Sequence, residues 1–156
     1  MAKKNENGQE RDFSPMMKHY RALKENYPDT IILYRLGDFY EMFFDDAIKA
    51  SKILDLTLTG RECGKEERAP MCGVPFHAVD NYIARLLAAG EKVAICEQLT
   101  APGDQKGMVK RDVIRVITPG TNTLEEMLDG KVNHYLVSVV RDKTGTSYAV
   151  AMLDIV

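Results

Sequence analysis

Four carboxylates, Asp38, Glu41, Asp45 and Asp46, crowd into the string GDFYEMFFDD. Carboxylates grouped this closely could hold magnesium for phosphodiester hydrolysis. A nuclease site also wants a lysine nearby to stabilise developing charge, and here Met42 and Phe43 follow Glu41 instead. A metal-dependent nuclease is therefore the enzymatic alternative, set against the plain reading of a solvated acidic face. The same string has a geometric reading. On an extended chain, side chains alternate faces, so Phe39 and Glu41 project to one side about 7 Å apart while Tyr40 turns inward. One flat aromatic and one carboxylate would then stand side by side beyond a turn at Gly37-Asp38. The competing expectation is that Phe39, Met42, Phe43 and Phe44 are all core.

Other residues with reactive chemistry carry less. Cys72 and His77 could be drawn as a thiol-imidazole pair or as two metal ligands. With no third partner at ligand spacing, a buried cysteine and a histidine at a helix start are expected. Neither a G-x-x-x-x-G-K-[ST] phosphate loop nor a G-x-G-x-x-G string occurs, so this chain alone is not expected to hydrolyse ATP. Positive charge gathers from Lys106 to Arg115, where Lys106, Lys110, Arg111 and Arg115 face the single Asp112, a net of +3.

The whole chain sets the limits. Its 156 residues suffice for one well-buried domain and part of a second. At 45% hydrophobic and 28% charged it can fill a core and wet a surface. A net charge of −2 does not announce a nucleic-acid binder, so any such contact must rest on local charge. Cys63, Cys72 and Cys96 are odd in number and lack a C-x-x-C pair, which excludes a disulfide framework or a four-cysteine zinc site. With no long apolar run and no signal-like start, the cytoplasm is the expected location.

Elements that would position these residues follow from periodicity and punctuation. Residues 1–12 are polar and aperiodic, a disordered lead-in. Ser14 and Pro15 then read as N-cap and first helical position, with a helix to about Tyr27. Strands are expected over Thr30 to Leu36 and Phe39 to Phe43, and a helix begins at Asp45 and Asp46, whose charge suits its positive end. Leu56 to Thr59 alternates like a strand, Gly60 to Ala69 is a charged loop, and Pro70 to Pro75 is a short apolar stretch punctuated by Gly73. A helix from Val79 stops at Gly90, and strands run over Lys92 to Gln98 and Val109 to Ile117. The expected fold is mixed α/β (α+β), a mixed β-sheet surrounded by helices, over 13–120. A linker over 121–133 leads to a hairpin over 134–156, with strands from His134 to Val140 and Ser147 to Ile155 around Asp142 to Gly145. A lone hairpin cannot bury a core, so it reads as the truncated start of a second domain.

SPMMKHY from Ser14, LYRLGDFYEMFFDDA from Leu33, PMCGVPFHAVDNYIARLLAAGEKVAICEQ from Pro70 and VKRDVIRVITPGT from Val109 resemble, in the same order, the opening of the MutS family of mismatch-repair proteins. GDFYE is the most specific of these strings. The resemblance implies that Phe39 and Glu41, the Phe and Glu of F-x-E, meet a mispaired base. It also implies that 13–120 is a mismatch-recognition domain and 134–156 the beginning of a connector domain. The expected partner is double-stranded DNA with mismatches or small insertion/deletion loops. A full-length member would bind ATP and magnesium, form a homodimer, work with a MutL-type protein and sit at the nucleoid of a bacterial cytoplasm. This stretch itself would be a binding module with no catalytic residue, metal or cofactor. Candidate contacts to the DNA backbone are Gly37, Asp38 and Tyr40 around the motif, and Arg61, Lys110, Arg111 and Arg115, which rest on charge and position alone.

Overall fold

The computed structural model describes residues 13–64, 68–100, 109–120, 133 and 135–154. The expected lead-in over 1–12, the loop bearing Lys106, most of the linker over 121–133, and His134 lie outside them. Two compact units divide the chain, Met1–Thr118 and Pro119–Val156.

In the first unit a six-stranded sheet runs in the order β3-β4-β2-β1-β5-β6. Its elements are α1 (Pro15–Asn26), β1 (Thr30–Leu36), β2 (Phe39–Phe43), α2 (Phe44–Leu54), β3 (Thr59–Glu62), β4 (Arg68–Pro75), α3 (Val79–Ala88), β5 (Lys92–Gln98) and β6 (Arg111–Ile117). Pairing is parallel between β1 and β5 and antiparallel elsewhere, giving the mixed sheet expected from sequence. Ser14 caps α1 by accepting a hydrogen bond from the Met17 amide at 3.4 Å, and Pro15 follows at the first position, where its missing N–H costs nothing.

Paired residues share a face of the sheet, and the two faces are covered differently. Ile32, Tyr34 and Phe43, with Ala94 and Cys96, pack against Met17, Tyr20 and Leu23 of α1. Edge-to-face contacts fix that packing, with Tyr20 5.1 Å from Phe43 and 5.7 Å from Tyr34 between ring centroids. On the other face Met42 pairs with Cys72, whose thiol reaches the Ala47 carbonyl of α2 at 3.5 Å. The chain turns from β2 into α2 at Phe44, whose φ of +54° lies in the left-handed region, and its ring packs edge-on against Phe13. Such a conformation costs about 1–3 kcal/mol and is held by its surroundings.

The structure corrects the sequence expectation between Leu56 and Pro75. Leu56 to Leu58 precede the strand, which begins at Thr59, the last residue of the expected one, runs to Glu62 within the expected loop and pairs with β4. β3 is an edge strand, and edges tolerate charged residues that periodicity assigns to loops. β4 escaped notice because Pro70, Gly73 and Pro75 punctuate it, and prolines ordinarily argue against an interior strand.

The second unit contains β7 (Tyr135–Arg141) and β8 (Tyr148–Asp154), an antiparallel hairpin whose side chains are exposed on both faces. Its turn is organised by Asp142, whose carboxylate accepts hydrogen bonds from the amides of Thr146 at 2.9 Å and Ser147 at 3.2 Å.

Candidate nucleic-acid interface

β1 and β2 are joined through Gly37 and Asp38, of which Gly37 alone has positive φ, +57°, the pattern of a type II′ hairpin turn. Two contacts hold this turn from outside it. The Arg35 Nε donates to the Gly37 carbonyl at 2.6 Å, and the Phe76 amide donates to the Asp38 carbonyl at 2.9 Å. The Arg35 guanidinium lies 3.7 Å from the centre of the Phe76 ring and 3.8 Å from the Glu97 carboxylate. The tip carrying the motif is thus braced by a charged stack, with a cation resting on an aromatic face.

Just beyond the turn, alternation decides what faces outward. Phe39 is 47% exposed whereas Tyr40 is 5% exposed. Tyr40 donates its hydroxyl to Glu97, and burial with that bond raises its pKa to about 12. Tyr40, named among the backbone-contact candidates, is thus buried and engaged within the sheet. Glu41 returns to the face of Phe39, opposite Tyr34 and Gly73. Its carboxylate is paired with Arg61, which reaches it from β3. Gly37 and Asp38 are exposed at the tip.

The other sequence candidates separate. Lys110 and Arg111 lie at the same end of the sheet as Leu36 and Phe39, since Arg111 pairs with Gln98 at the end of β5. Lys110 is exposed, but Arg111 donates to the carbonyls of Arg35 at 2.8 Å and Val109 at 3.1 Å. Its guanidinium closes the β1 to β6 end of the sheet and lies 5.4 Å from the Tyr34 ring centre. Arg115 is exposed and pairs with Ile95, roughly 10–13 Å further along the strand.

The acidic string does not assemble into a site. Asp46 is buried and accepts from Lys24 and the Tyr20 hydroxyl, at 2.6 and 2.8 Å, and from the Ile32 amide at 3.1 Å, so it belongs to the core. Glu41 is paired with Arg61, Asp38 is on the turn, and Asp45 is exposed on α2. Strand alternation and the bend at Phe44 send the four carboxylates in different directions, and among the described residues no three His, Cys, Asp or Glu side chains group to hold a metal. Cys72 is buried, with its thiol pushed up to about 11 chiefly by burial, while His77 is exposed, so they form no reactive pair. No helix among the described residues is long and apolar enough to cross a membrane.

Sequence reasoning missed Arg35, Phe76 and Gly73 as residues that position the motif. Arg35 stands two places before the turn glycine, the one available signal; the roles of Phe76 and Gly73 needed the β4 pairing.

A family model described as MutS domain I matches residues 14–126. This chain belongs to the MutS domain I family. Proteins named DNA mismatch repair protein MutS are similar to it along most of its length. That of Ruminiclostridium cellulolyticum is 61% identical over 142 residues, covering 91% of this chain and 16% of the relative. The Acetivibrio thermocellus protein is 58% identical over the same span with the same coverages. That of Clostridium perfringens is 54% identical, again covering 91% and 16%. The chain therefore spans about one sixth of the length of these relatives, and within it the MutS domain I match takes in the whole six-stranded sheet.

Proposed function

We propose that this domain recognises mispaired or unpaired bases in double-stranded DNA, with Phe39 as a wedge and Glu41 as a hydrogen-bonding partner of the displaced base. The observation that carries the reading is the outward Phe39 on a braced hairpin tip, with Glu41 on the same face. An exposed aromatic at a rigid tip is costly to leave in water and suited to insertion.

A mispaired base stacks and pairs less well, so bending the duplex there costs less than bending perfect DNA. An apolar ring entering the minor groove partly unstacks a step and kinks the helix. Stacking a base on an aromatic contributes about 1–3 kcal/mol, enough to discriminate but not to bind tightly. Glu41 accepts a hydrogen bond from a base amine or, carrying a proton, donates one to a ring nitrogen. Lys110 and Arg115, with the exposed backbone of Gly37 and Asp38, meet phosphates and set register without reading sequence. Arg111 serves the sheet first.

The module binds without breaking bonds. On this reading ATP and magnesium, homodimer contacts and a MutL-type partner belong to segments without a counterpart in residues 1–156, which contain no phosphate-binding loop. The working place is the nucleoid DNA of a bacterial cytoplasm.

The test is equilibrium binding of the protein at its full natural length to a perfect duplex and to one with a single unpaired base, at one salt concentration. Phe39→Ala should weaken the mispaired complex by about 1–3 kcal/mol and leave the perfect one nearly unchanged. Equal weakening of both, with a lower melting temperature, would make Phe39 a core residue.

A further inference from the structure

Glu41 and Arg61 pair across a strand that separates them. Glu41 is on β2 and Arg61 on β3, with β4 between. The β4 residues beneath this contact include Ala69, opposite Arg61, and Gly73, opposite Glu41. A Cβ on Gly73 would lie 3.3 Å from Glu41 Cγ and 3.3 Å from the Tyr40 carbonyl oxygen, a tighter fit than ordinary contact. Glycine at 73 thus leaves the lane through which the carboxylate reaches Arg61. The pair is partly open to solvent, with side-chain exposures of 38% for Arg61 and 16% for Glu41, so it can be exchanged for another partner.

We propose that Arg61 determines specificity by acting through Glu41: it holds the carboxylate in an ion pair against perfect DNA and yields it where a displaced base offers a hydrogen bond. This rests on the reading of Phe39 and Glu41 given above. A bare carboxylate facing a duplex repels phosphates whatever the sequence, and pairing with a guanidinium removes most of that field. The pair also competes with the base, because Glu41 must leave Arg61 to bond it. Removing Arg61 therefore acts unequally on the two duplexes. Perfect DNA meets an uncompensated charge, while a mispaired base gains a carboxylate with no partner to give up. Loss of this cation raises discrimination, whereas loss of a simple phosphate contact weakens every duplex alike.

A double-mutant cycle separates the two cases. Arg61→Ala, Glu41→Ala, the double variant and Arg61→Lys are made in the full-length protein. Each is titrated with a perfect duplex and with the same duplex carrying one unpaired thymine, at one salt concentration. Arg61→Ala should weaken the perfect duplex by about three- to tenfold and change the mispaired one by less than about twofold. In the Glu41→Ala background the same substitution should alter the perfect duplex by less than about twofold. Arg61→Lys, which keeps the charge, should restore the wild-type ratio. Equal weakening of both duplexes in both backgrounds would make Arg61 a phosphate contact and overturn the proposal. So would unchanged affinities in Arg61→Ala where Glu41→Ala does alter them, or a lowered melting temperature with both duplexes lost together in Arg61→Ala and Arg61→Lys. Failure of the underlying reading looks different: Glu41→Ala alone would then leave both affinities as in the wild type.

Discussion

A carboxylate brought beside a duplex would repel its phosphates unless something answered its charge, and Glu41 has an ion-pair partner in Arg61. On the proposed reading, Glu41→Ala removes the small repulsion that Arg61 leaves uncompensated and, with it, the hydrogen bond to a displaced base. Perfect DNA should then bind up to about twofold more tightly, while the mispaired duplex gains less or loses, as titration at fixed salt would show. Tighter binding of both duplexes by one factor would leave Glu41 as mere repulsion. The geometry was legible beforehand: the alternation of Phe39, Tyr40 and Glu41 follows from the period of a strand, and the structure sends Tyr40 alone inward. Arg61 was legible as a cation but not as a partner. Its contact spans two strand steps, and one of those strands was concealed by Pro70, Gly73 and Pro75.

Two elements carry acidic residues whose roles composition could not separate. Asp46, in the first turn of α2, ties that helix to α1 through Lys24 and Tyr20 and to β1 through the Ile32 amide. Asp46→Ala strands a lysine, a hydroxyl and an amide, so unfolding by denaturant should show a loss of about 3 kcal/mol or more. A stable Asp46→Ala protein would mean that the carboxylate is not what docks α1. Sequence placed Asp46 in an exposed acidic run because charge patterning is blind to tertiary partners. Asp142 answers differently. Its side chain accepts from the Thr144 hydroxyl and from the amides of Ser147 and Thr146, which holds its pKa down at about 2. The folded value is lowered, so the stabilisation is present above the ordinary carboxylate value of 3.8 and is lost as pH falls through about 2. Amide shifts of Thr146 and Ser147 should therefore hold steady down to about pH 3 and move below it; a midpoint near 3.8 would mean that the turn does not favour the charged form.

The molecule is two units of unequal solidity. One wraps both faces of a six-stranded sheet, and the other is a hairpin exposed on both sides. Two strands without a covering layer are marginal, so amides from Tyr135 to Asp154 should exchange far faster than those of β5. Equal protection would show that the hairpin is covered in solution. On the proposed reading, recognition would belong to the whole first unit, because a wedge works only if the sheet behind it does not yield. The claim that Phe39 enters a weakened step is tested most directly by the shape of the DNA. Energy transfer between dyes at the two ends of a duplex reports its bend. With the full-length protein bound, a duplex carrying one unpaired base should be kinked and a perfect one nearly straight. With Phe39→Ala, at protein concentrations that saturate the DNA, the kink should disappear. A kink of the same size without the Phe39 ring would contradict the account.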